Sequence, residues 1–84
     1  MNQSQPLMML LGENGIKILQ SLVNGPLDIS SIRMLTGLPL ACIRTRIPVL
    51  INLGLVKDLD SGIGLNSRGK EFLQFVKASG LPLF

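Results

Sequence analysis

Histidine, tryptophan and tyrosine are absent from these 84 residues, and cysteine occurs once, as Cys42. A single thiol cannot close an internal disulfide, and without histidine or a second cysteine there is no soft-ligand set for zinc. The acids are scattered: Glu13, Asp28, Asp58, Asp60 and Glu71. No acid–base pair and no nucleophile with its base can be assembled from that inventory, so no enzyme and no cofactor is expected. Gly62-Ile63-Gly64 lacks the strand-to-helix setting and the lysine of a phosphate loop. Long apolar runs are missing too. Leu7-Met8-Met9-Leu10-Leu11 is broken by Gly12-Glu13-Asn14, far short of the roughly 20 residues of a membrane span. Met1 to Gln5 carries no Lys or Arg, unlike a secretory leader. We therefore expect no membrane association and a cytoplasmic chain.

What is present is apolar: 46% of the residues, against 15% charged. That is more greasy surface than a small monomer easily hides, so part of it is assigned to a subunit interface. Eight basic residues against five acidic ones give a net charge of +3, which permits a polyanionic partner.

The spacing of apolar residues predicts one mainly α-helical domain over 1–84 with a small β-hairpin. Residues 1–12 are an arm or helical extension, 13–76 the core and 77–84 a tail. Ile16, Leu19, Leu22 and Val23 recur at helical spacing, and Asn24-Gly25-Pro26 stops that helix. Leu27-Asp28-Ile29 is a strand-like link, and Ser30 is the expected cap of a second helix reaching Thr36, with Ile29, Ile32 and Leu35 turned inward. Gly37 can end that helix in the left-handed conformation and allow a tight turn. A third helix, from about Pro39 to Leu53, turns Leu40, Ile43, Ile47, Leu50 and Ile51 to the core. Ala41, Thr45, Pro48 and Asn52 lie on its far side, flanked by Arg44 and Arg46. Pro48 removes a backbone hydrogen bond in mid-helix and should bend the axis or loosen its second half, at up to about 3 kcal/mol. Gly54 closes the helix. Leu55 to Leu59, Asp60-Ser61-Gly62 and Ile63 to Leu65 form a hairpin, and Asn66 caps a last helix carrying Phe72, Leu73, Phe75 and Val76.

Two helices joined by a short glycine-containing turn, the second leading into a hairpin, resemble the winged helix-turn-helix family. The segments that carry the resemblance are Ile29-Ser30-Ser31-Ile32 through Thr36-Gly37-Leu38, then Ile43 with Leu50-Ile51-Asn52-Leu53-Gly54-Leu55-Val56, then Leu65 to Leu73. Together they run from about Gly15 to Val76 and are similar to the MarR-, ArsR- and TrmB-like prokaryotic transcriptional regulators. The resemblance implies a homodimer on double-stranded DNA with its third helix in the major groove. The expected contacts there are Ala41, Cys42, Arg44, Thr45 and Arg46, with Ser30, Ser31 and Arg33 fixing register on the backbone. The hairpin departs from the family: Asp58 and Asp60 stand where a DNA-touching wing carries cations. Lys57, Arg68 and Lys70 are assigned to flanking phosphates instead.

Cys42 is read as a plain small residue rather than a redox switch, and the four methionines as packing material. Leu7, Met8, Met9, Leu10 and Leu11 with Leu81, Leu83 and Phe84 are assigned to the dimer interface, because neither group is needed to complete the expected core. The competing reading of the same fold is a protein-interaction module in a transcription or chromosome-organising complex, favoured by the acidic wing and the high apolar content.

Overall fold

In the computed structural model the described residues are 4–78, with side chains described from residue 10. Four helices and one hairpin follow in the order α1 (Ser4–Ser21), α2 (Ile29–Thr36), α3 (Leu40–Asn52), β1 (Val56–Leu59), β2 (Gly62–Leu65) and α4 (Ser67–Ala78). The class is the expected one, mainly helical with a two-stranded antiparallel sheet. Among the described residues, no single helix is long and apolar enough to cross a membrane.

α1 is two helical pieces meeting at Gly12, whose φ of 64° and ψ of −171° fall outside the helical region and suit a residue without a Cβ. Beyond that bend Ile16, Ile18, Leu19 and Leu22 are buried and form one wall of the core. Leu27 exchanges two backbone hydrogen bonds with Ile63, at 3.0 and 2.8 Å, so the strand-like link lies antiparallel beside β2. Val56 pairs with Leu65 and Leu59 with Gly62, leaving Asp60-Ser61 as the tip. Ile32 and Leu38, then Ile43, Ile47 and Leu50, meet α1 in the middle, and Phe72 and Val76 of α4 close the other side.

The caps follow local chemistry, with one correction. Asp28, not Ser30, caps α2: its Oδ1 accepts from the Ser31 amide at 2.7 Å. Asp and Ser serve equally well at this position, and the Leu27–Ile63 pairing fixes where extended chain gives way to helix. At the end of α3, Gly54 has φ 75° and donates to Ile51 O at 2.9 Å, while Leu55 donates to Leu50 O at 3.0 Å. Those two bonds are the paired closure that a left-handed glycine permits. Asn66 caps α4 as expected, with Oδ1 accepting from Gly69 N at 3.0 Å.

Two packing expectations are corrected. Leu35 is 67% exposed instead of facing inward. Ile32 is the fully buried residue of this helix, and Thr36 beyond it is half-buried, its hydroxyl donating to Ile32 O at 2.7 Å and accepting from Leu38 N at 3.2 Å. Ile51 is 38% exposed at the edge of the α3 stripe. Pro48 stands on the exposed face of α3, whose helical span runs through it from Leu40 to Asn52. Ile47 and Leu50, buried on either side of the proline, hold both halves of the helix against the core.

Candidate nucleic-acid interface

The site is built on the junction of α2 and α3. Gly37 ends α2 with φ 73°, donating to Arg33 O at 2.8 Å, and the next helix begins three residues later at Leu40. Leu38, buried in the core, pins the turn. The chain direction changes by 113° between the two helices, within the roughly 90–120° of helix-turn-helix pairs. Because Ile43, Ile47 and Leu50 anchor the inner face of α3, its outer face is fixed as Ala41, Arg44, Thr45 and Pro48, all exposed. Thr45 Oγ1 donates to Cys42 O at 2.9 Å.

Arg33 on α2 and Arg44 on α3 are exposed, and Arg46 is half-buried. Arg68 is exposed, and its Cδ lies 3.8 Å from where a Cβ on Gly54 would stand, so its stem covers the end of α3. Among the described residues the one ion pair is Lys17–Glu13, at 3.8 Å. The arginines around the α2–α3 junction thus have no carboxylate neutralising them there. The hairpin carries exposed Lys57 beside exposed Asp58 and Asp60, so its tip is acidic.

Not every expected contact gathers here. Cys42 is half-buried against the core, and Asn14 Nδ2 donates to its Sγ at 3.6 Å, so the thiol faces α1 and leaves the set. Lys70 lines a separate groove of about 570 Å³ between α1 and α4, with Val23, Leu65, Leu73 and Lys77. That groove takes it away from the Arg68 side of α4. Ser30 is exposed and Ser31 half-buried, but the carboxylate of Asp28 already accepts from the Ser31 amide in the first turn of α2. Hydrogen bonds from the Ser31 amide and then its hydroxyl hold the Asp28 carboxyl below its ordinary pKa, so it stays ionised and would repel a phosphate at that end. As the cap of α2, Asp28 is the residue that the sequence reading passed over in favour of Ser30. Its signal was an acid directly ahead of an apolar helix start.

The segment assigned to a subunit interface divides as well. Leu11 is 2% exposed and belongs to the core, which corrects the expectation that all of Leu7 to Leu11 is spare. Leu10 beside it is 59% exposed. Leu7, Met8 and Met9 lie in the first piece of α1, with their side chains outside the described residues, and Leu81, Leu83 and Phe84 lie outside them altogether. On α2, Met34 is 83% exposed.

The chain matches no protein-family model and none of the curated proteins.

Proposed function

We propose that this domain binds double-stranded DNA as a homodimeric transcriptional regulator of the winged helix-turn-helix kind, working at the nucleoid in the cytoplasm, with α3 in the major groove. One observation carries the reading: Arg44 and Thr45 stand exposed on the first turns of a helix set 113° from its predecessor, flanked by Arg33 and Arg46, with no carboxylate paired to them among the described residues. A guanidinium fork on Arg44 matches O6 and N7 of guanine, while Arg33, Arg46 and Arg68 suit phosphates. The acidic hairpin tip contributes little, since Asp58 and Asp60 repel the backbone. One module of this size has a small footprint, and a two-fold pair would place two α3 helices about 34 Å apart on successive major grooves. Leu10 is an exposed apolar residue available to that pairing. A mobility-shift titration of duplex DNA at low ionic strength tests the reading. A retarded species is expected, and duplex that runs free at every protein concentration contradicts it.

A second reading rests on a different feature. Met34 and Leu35, 83% and 67% exposed, put two large apolar side chains on the outside of α2. They favour a winged helix used as a protein-interaction module in a transcription or chromosome-organising complex, the reading left standing if DNA is not bound.

A further inference from the structure

Over its first turns the outer face of α3 carries little besides Arg44 that can donate or accept a hydrogen bond to a base, and the amide of exposed Asn52 stands only at its far end. Ala41, Thr45 and Pro48 follow one another at helical spacing, all exposed, and Val49 beside them is 39% exposed. Thr45 is grouped with them because its hydroxyl donates its one proton to the carbonyl of Cys42 at 2.9 Å and has none left to offer a base, while its Cγ2 methyl remains for an apolar contact. Arg44 is the one exposed cation on this stretch, with Arg33 and Arg46 at its margins. A strip of methyl and ring carbons edged by unneutralised guanidinium groups is complementary to a surface that is apolar in the middle and anionic at its borders. In the major groove that surface is a run of thymine C5 methyls between two phosphate backbones, because thymine alone presents a methyl there.

We infer that Ala41, Thr45 and Pro48 read thymine methyls, so that the preferred duplex is thymine-rich beside the base contacted by Arg44. The inference rests on the DNA reading above and specifies which groups on the DNA carry recognition. It assigns the Thr45 hydroxyl no part in base contact, whereas hydrogen-bond readout would require that hydroxyl.

The test begins with duplexes retained by the full chain from a random-sequence pool, amplified once with dTTP and once with dUTP. The two products match in sequence and phosphate charge and differ only in the thymine methyls. Affinity for the dU form should be at least about fourfold lower, the worth of one buried methyl group. Thr45→Val, which keeps the methyls and loses the hydroxyl, should preserve the gap between the two forms. Thr45→Ser, which keeps the hydroxyl and loses the methyl, should narrow it. Equal affinity of the unsubstituted protein for the two forms overturns the inference and leaves the DNA reading standing. So does a Thr45→Val variant that loses the gap while Thr45→Ser keeps it. If no duplex is retained from the pool, both fall together.

Discussion

Gly69 lies so close to Leu55 that a Cβ on the glycine would stand 2.1 Å from the Leu55 carbonyl oxygen. That oxygen accepts from Asn66 N at 3.2 Å, and Asn66 Oδ1 in turn accepts from Gly69 N at 3.0 Å. One small knot therefore joins the end of α3, the hairpin and the start of α4, and it closes only when position 69 has no side chain. Gly69→Ala should cost about 2 kcal/mol or more by overpacking. In a domain of this size that lowers Tm by about 8 °C or more, since each kcal/mol is worth about 4–8 °C. Thermal unfolding followed by circular dichroism checks this, and an unchanged Tm would contradict the close approach.

Leu10 and Leu11 are neighbours with opposite fates, 59% and 2% exposed. Leu11→Ala should remove about 2–5 kcal/mol from the fold. Leu10→Glu should leave the unfolding transition nearly where it was and shift the sedimentation equilibrium of the full chain from dimer to monomer. A Leu10→Glu protein that still dimerises would remove Leu10 from the subunit contact.

The Asp28 carboxyl is held below its ordinary pKa by the Ser31 amide and hydroxyl, so its contribution to folding is present above the unfolded-state value and is lost as pH falls through the lower folded-state value. Asp28→Asn retains a side-chain acceptor for the cap but cannot titrate. The parent should be the more stable of the two at neutral pH, and the difference should shrink as the medium is acidified below the usual carboxylate range. A difference in Tm independent of pH would contradict the ionised cap.

Much of this architecture was legible in the sequence because it depends on local chemistry. Gly37 and Gly54 at left-handed helix ends, Asn66 ahead of α4, and the hairpin around Asp60-Ser61 all announce themselves by residue type and position. The departures come from choices made by tertiary packing. Asp28 and Ser30 are interchangeable as caps until Leu27 pairs with Ile63. An eight-residue helix such as α2 has too few turns for its period to fix which side faces in, so Leu35 is left exposed while Ile32 is buried. At Pro48 the cost of the lost hydrogen bond is local, whereas the burial of Ile47 and Leu50 that offsets it is not. Within the candidate site, the exposure of Arg44 and Thr45 followed from the periodicity of α3. The side of α4 on which Lys70 lies, and the turn of Cys42 toward Asn14, depend on how α1 packs against both helices.

Arg44 is exposed with no ion-pair partner among the described residues, so its loss should register in binding and not in folding. Arg44→Ala should weaken DNA binding by about 5- to 150-fold, the range for one bidentate base contact. Stability should change by no more than about 0.5 kcal/mol. A large fall in Tm with little change in affinity would make Arg44 a structural residue.

The most direct measurement is the affinity of the full chain for a duplex, followed by fluorescence anisotropy as ionic strength is raised. Arg33, Arg46 and Arg68 from each protomer of a dimer give about six phosphate contacts, each releasing about 0.9 counterion, so log affinity should fall against log salt with a slope of about −5. Binding absent at low salt, or present with an affinity that does not change as salt rises, would contradict the assignment of this domain to DNA.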